Sequence, residues 1–109
     1  MKGALAEARA LAFLQSQGYT FIKKNHRIRS AEIDLIFQKE GVWVFVEVKH
    51  RSKPTFGSAL ETLSQDQARR IRQAALDYLK RDDLPCRFDL ISIDGDVLNG
   101  KLHWVQDAF

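Results

Sequence analysis

The sequence predicts an α/β domain built on a mixed five-stranded sheet flanked by helices. Two adjacent segments, Glu32-Ile33-Asp34-Leu35-Ile36-Phe37 and Val42-Trp43-Val44-Phe45-Val46-Glu47-Val48-Lys49, are almost wholly apolar. Strands apolar on both faces belong in the middle of a covered sheet. Helical periodicity precedes and follows them. The resulting order of helix, three strands, helix and two strands is that of a layered mixed sheet. A length of 109 residues suits one domain, residues 1–109, around one core.

From Gly3 to Gln17, Ala4, Leu5, Ala8, Leu11 and Ala12 describe an amphipathic helix, with Gly18 where a C-terminal cap glycine is expected. Tyr19 to Lys24 reads as a short strand, followed by a basic loop, Asn25-His26-Arg27-Ile28-Arg29-Ser30. The apolar hairpin comes next, and Pro54 cannot continue a central strand. After a loop around Phe56-Gly57-Ser58, Ser64 and Gln67 form a capping-box pattern. Ala68, Ile71, Ala75, Tyr78 and Leu79 then make a helical stripe that leaves Arg69, Arg70, Arg72 and Lys80 largely outside. Asp82-Asp83-Leu84-Pro85 ends that helix. Arg87 to Asp94 is a fourth strand, and Gly95-Asp96 with Asn99-Gly100 turns the chain into a last strand, Lys101 to Val105.

Composition narrows the function classes. No apolar run approaches the ~20 residues needed to span a bilayer, and the start, with Glu7 early, does not read as a secretory signal. A single cysteine, Cys86, permits no internal disulfide and no cysteine zinc cage, which fits a reducing, cytoplasmic location. Cys86 itself reads as a small core residue. A net charge of +3 leans toward a polyanionic partner.

The turn between the central strands fixes their register. With Glu40-Gly41 as a two-residue loop, Lys39 pairs with Val42, Asp34 lies across from Glu47, and Glu32 across from Lys49. Opposed side chains have Cβ atoms roughly 4.5–5.5 Å apart. Carboxylates at that distance repel unless a proton or cation lies between them. A slip of one residue would move Asp34 to the face of Val44, Val46 and Val48, which offers it no partner. Asp34 and Glu47 thus form a candidate site for a hard divalent cation, Mg²⁺ or Mn²⁺. Lys49 shares the face of Glu47 and could orient a water or neutralise charge on phosphorus.

Ala31-Glu32-Ile33-Asp34-Leu35-Ile36 followed by Phe45-Val46-Glu47-Val48-Lys49-His50-Arg51 resembles the signature of the YraN family, small bacterial proteins similar to the PD-(D/E)XK nuclease superfamily and to archaeal Holliday-junction resolvases. The resemblance extends to Phe56-Gly57, Arg87-Phe88-Asp89 and the segment from His103 to Phe109. It implies a restriction-endonuclease-like core, with Asp34 as the metal-binding aspartate, Glu47 as the second acid and Lys49 as the motif lysine. It further implies that Glu7, on the first helix, approaches the metal or its water, and that Gln67 on the second helix reaches the site. Ala31 stands where a glycine usually precedes the motif acid, and Gln67 where many relatives carry lysine.

Two functions from different classes follow. The first is a metal-dependent nuclease acting on DNA, branched DNA by the resolvase analogy, for which a homodimer would suit a two-armed substrate. The alternative is a catalytically inactive module of the same fold that binds nucleic acid or a partner protein. Either draws on the basic residues that bracket the acidic hairpin, Lys23, Lys24, Arg27 and Arg29 before it and Arg51 and Lys53 after it. His103, Trp43 and Trp104 read as structural residues.

Overall fold

In a computed structural model of the chain, residues 3–53 and 59–109 are described, Glu61 in its backbone only. The expected loop at Phe56-Gly57-Ser58 and the strand stop at Pro54 lie outside the described residues. Five strands form one sheet in sequence order: β1 (Thr20–Ile28), β2 (Ala31–Lys39), β3 (Val42–Arg51), β4 (Cys86–Asp94) and β5 (Lys101–Val105). Neighbours are antiparallel except β3 and β4, which run parallel. A parallel pair needs a crossover. A 3-10 turn at Ala59–Thr62 and helix α2 (Gln65–Leu79) lie on it.

Alternation along β2 and β3 sends their side chains to two cores. Leu35, Phe37, Val44 and Val46 pack with Ala10 and Leu14 of helix α1 (Ala4–Ser16). Ile36 and Phe45 pack with Ile71, Ala74 and Ala75 of α2. The helices therefore cover opposite faces, and burial of each large apolar side chain contributes about 1.5–3 kcal/mol. No helix among the described residues is long and apolar enough to cross a membrane.

The hairpin forms in the expected register, from Lys39↔Val42 to Leu35↔Val46. Glu40 and Gly41 have φ of 51° and 82°, the left-handed pair of a type I′ turn. Ser64 caps α2, its side chain accepting from the Gln67 amide at 3.0 Å. Gly100 is set by a close approach, because a Cβ there would lie 2.2 Å from the Asp94 carbonyl oxygen.

Three expectations are corrected. The basic segment is not a loop: β1 continues to Ile28, with His26, Arg27 and Ile28 paired to Ile33, Glu32 and Ala31. Pairing with the buried β2 outweighs the polar composition of an edge strand. In α1 the buried line is Ala6, Ala10 and Leu14, while Leu5 is 58% exposed. The small side chains let the helix lie close to the sheet, and Leu14, with Phe13 beside it, sets its rotation. Cys86 is exposed, being the first residue of its strand.

At the far side of the sheet Asp89 is completely buried. It accepts from Arg87 Nε and Nη2 at 2.8 Å each, from Trp104 Nε1 at 2.9 Å and from the Asp107 amide at 3.0 Å. A buried carboxylate requires such partners. Here they tie β4 to β5 and to the segment after it.

Candidate metal centre

The β2–β3 ladder runs regularly to Leu35↔Val46 and then stops. At the next level the Val48 amide donates to Asp34 Oδ2 at 2.8 Å, so a side chain occupies the place of a strand. Packing reverses at the same point. Ile33 joins Ile36 and Phe45 on the α2 side, although Leu35, two residues on, faces α1. Residues two apart share a face in a regular strand. Asp34 therefore sits at a break in alternation and reaches groups on both sides of the sheet.

Its neighbour across β1 is equally irregular. Between the pairs Lys24↔Leu35 and His26↔Ile33, Asn25 and Asp34 drop out of the pairing. Asn25 has φ of 54°, the left-handed region that asparagine tolerates better than most residues. Lys24 and Asn25 consequently both turn toward α1, lining a recess with Ala4, Glu7, Ala8, Leu11 and Leu35. His26 turns the other way and meets the Tyr78 ring of α2.

On the α1 side, carboxylate oxygens of Glu7, Glu32 and Asp34 lie within 4.8 Å of one another. Asn25 Nδ2 donates to Glu7 Oε1 at 3.0 Å and to Glu32 Oε1 at 3.3 Å. Arg27 Nε and Nη2 reach Glu32 Oε2 at 2.9 and 2.5 Å. On the α2 side, Glu47 is 6% exposed, and its Oε2 accepts from Gln67 Nε2 at 2.7 Å and faces Lys49 Nζ at 3.3 Å. Lys49 Nζ also donates to Gln67 Oε1 at 3.2 Å. Because Gln67 sits one turn from the Ser64 cap, the start of α2 places its amide over Glu47.

Burial, then the charge of Glu47, pushes the Asp34 carboxyl up to about 8, against the pull of the Val48 N–H. Burial likewise raises Glu47, opposed by its hydrogen bond with Asp34 and by Lys49. The two carboxyls titrate as a pair that holds a proton between them near neutral pH.

Asp34 thus stands between two groups, Glu7 and Glu32 on the α1 side and Glu47 with Lys49 and Gln67 on the α2 side. Glu32 does not pair with Lys49, because the ladder ends before reaching it; it turns to Glu7 and Arg27. Asn25 was not singled out from the sequence. Its one signal there is its type, an asparagine inside a run of cations. Among the basic residues, Lys24 lines the recess beside Glu7, and Lys23 Nζ lies over the Tyr78 ring on the α2 side. Arg29 and Lys53 are exposed. Arg27 is paired with Glu32, and Arg51 grips Asp94 through two 2.8 Å bonds.

The carboxylates that converge to ligand distance, Glu7, Glu32 and Asp34, are an all-oxygen set that fits a hard divalent cation, and Glu47 lies beside Asp34 on its other side. The shared proton and raised Asp34 carboxyl mark negative charge that a cation would neutralise.

Fold and site together define an α/β protein whose sheet is broken at its centre by a carboxylate cluster. Sequence comparison supplies the family. The family model described as "Uncharacterised protein family UPF0102" matches residues 6–93. A UPF0102 protein of Shewanella baltica strain OS155 is 49% identical over 109 residues, covering 98% of this chain and 97% of that one. A UPF0102 protein of Shewanella sp. strain W3-18-1 is 46% identical with the same coverage. The chain therefore belongs to the UPF0102, or YraN, family.

Proposed function

We propose that this protein is a divalent-metal-dependent nuclease of the restriction-endonuclease-like type, hydrolysing phosphodiester bonds in DNA. The observation that carries the reading is the placement of Asp34. Its carboxylate stands in the opening between β2 and β3, hydrogen-bonded to the Val48 amide and adjacent to Glu47, with the Lys49 ammonium 3.3 Å from Glu47. A binding surface for a polyanion has no use for a half-buried carboxylate set against the buried Glu47 unless a cation joins them.

Asp34 and Glu47 would hold Mg²⁺ or Mn²⁺, with Glu7 and Glu32 at the α1 side of the same cluster. When bound, the cation supplies Lewis-acid polarisation of a phosphoryl oxygen and acidifies water. The chain's own contribution is positional. The Val48 N–H fixes the Asp34 carboxylate, and Gln67 fixes both the Glu47 carboxylate and the Lys49 ammonium. Lys49 then presents a point charge to the oxygens on which negative charge develops in phosphoryl transfer. Lys24, Arg29 and Lys53 supply cations outside the cluster for the flanking phosphates, without which an acidic centre would repel its substrate.

The test is a panel of single-stranded, duplex and branched DNA incubated with Mg²⁺ or Mn²⁺, with the Asp34→Asn protein as control. Metal-dependent cleavage that Asp34→Asn abolishes supports the reading. DNA binding that ignores both metal and Asp34, with no cleavage of any form, would favour a non-catalytic module of the same fold.

A further inference from the structure

We propose that Asn25 is a positioning residue of the metal centre, holding Glu7 and Glu32 in place through its side-chain amide; the inference rests on the metal-site reading above. The backbone provides the first observation. Asn25 adopts φ of 54° in the interior of a nine-residue strand. A left-handed residue there costs the strand one regular step and reverses its alternation, and such strain persists where the surrounding structure holds it. Here the conformation turns the amide toward α1 rather than toward α2.

The second observation is what that turn achieves. Asn25 Nδ2 bridges Glu7 Oε1 at 3.0 Å and Glu32 Oε1 at 3.3 Å, and both carboxylates lie within 4.8 Å of Asp34. Glu7 comes from α1 and Glu32 from β2, so no local geometry keeps them together. Arg27 offsets the charge on Glu32 at its other oxygen, but the Asn25 amide is the group that joins Glu32 to Glu7. An amide has two N–H groups, so one side chain can serve both oxygens while contributing no charge that would compete with a cation. A lysine would neutralise the site, and an aspartate would add to the repulsion. Asparagine also ranks with the residues that accept the left-handed region, which unites both requirements in one residue type.

The third observation is the level at which this occurs. Asn25 and Asp34 are the two residues left out of the β1–β2 pairing between Lys24↔Leu35 and His26↔Ile33, so the irregularities of the two strands fall at one level. The break that sets Asp34 between the sheet's faces is matched by one that sets the clamp for its neighbours.

The experiment is a double-mutant cycle read by Mn²⁺ binding, using electron paramagnetic resonance of free Mn²⁺ and calorimetric titration. Asn25→Gly keeps the backbone conformation accessible and removes the amide. Its metal-free melting transition should be retained, and its Mn²⁺ affinity should fall about tenfold, the usual scale for loss of a ligand-orienting partner. In a Glu32→Gln background the repulsion is already gone, so adding Asn25→Gly should cost roughly threefold or less. A purely structural role for Asn25 would give the same loss in both backgrounds, and that result would overturn the proposal. So would an Asn25→Gly affinity equal to that of the unmodified protein, while leaving the metal site intact. If the unmodified protein binds no Mn²⁺, the metal-site reading itself fails and this inference falls with it.

Discussion

Asp34 accepts the Val48 N–H and shares a hydrogen bond with Glu47, and its burial decides how it titrates. Its carboxyl rises from an ordinary 3.8 to about 8 in the folded protein. Between those values the folded state holds a proton that the unfolded chain releases. The stabilising contribution is therefore complete below pH 3.8 and is lost as pH climbs toward 8. Metal-free protein should lose stability across that window. Asp34→Asn should show a flatter profile, since its amide carries permanently the hydrogen that the shared proton now supplies. At pH 8 the variant should be more stable by about 1–3 kcal/mol. Urea unfolding in a chelator at several pH values measures this, and parallel profiles would place the proton elsewhere. Glu47→Gln tests the other half of the pair. It should weaken Mn²⁺ binding in calorimetry while leaving the metal-free fold intact or slightly more stable, because a like-charge repulsion is relieved. Unchanged affinity would make Glu47 a structural residue.

At the scale of elements, the start of α2 couples stability to the site. Ser64→Ala removes the cap on the Gln67 amide and should cost about 1 kcal/mol of folding free energy in denaturant unfolding. Asp89→Ala should cost far more, about 3–5 kcal/mol, because the Arg87 guanidinium would lose its buried partner. Asp89→Asn, which keeps an acceptor but no charge, should cost less, and equal losses would mean that the charge rather than the acceptor oxygens carries the contribution. The elements legible in the sequence are those with local determinants. Glu40-Gly41 sets the hairpin register as read, and Ser64 caps the start of α2 as read, although the Gln67 side chain leaves the expected capping box for Glu47 and Lys49. The continuation of β1 past Lys24 was not legible, because it depends on pairing with β2 rather than on its own polar residues. Nor was the rotation of α1, where alanines at several positions fit more than one face. The sequence pattern brought out Asp34, Glu47 and Lys49, but the expected cross-strand pair of Asp34 with Glu47 does not form, because the ladder stops at Leu35↔Val46. The site ceased to be legible where the ladder ends, since neither the place of Asp34 between the faces nor the clamp at Asn25 follows from a repeating pattern.

For the molecule as a whole, charge placement would govern the approach of the proposed DNA substrate. Lys24 lines the recess beside Glu7 and Arg29 is exposed in the turn after β1, whereas Arg69 and Arg72 lie on the outer surface of α2, Arg69 paired with Asp66. Replacing Lys24 and Arg29 together in the Asp34→Asn protein should lower the log–log salt slope of DNA binding by roughly one to two units. Replacing Arg69 and Arg72 should change it much less. Fluorescence anisotropy of a labelled duplex over a salt series distinguishes the two. Equal effects would mean that binding is diffuse over the surface, and no binding at low salt with or without Mg²⁺ would shift the reading to a protein partner.

The bond from the Val48 amide to Asp34 bears on how any knock-out of this protein is interpreted. An alanine at position 34 would delete the carboxylate and also strand a strand N–H without its acceptor, at about 1–3 kcal/mol. In a cell, such a variant would be scarcer as well as deprived of the proposed activity, so its phenotype would report protein abundance as much as chemistry. Asparagine retains an oxygen for Val48. Genetic complementation with that amide variant, alongside immunoblotting for steady-state level, separates a missing reaction from a missing protein.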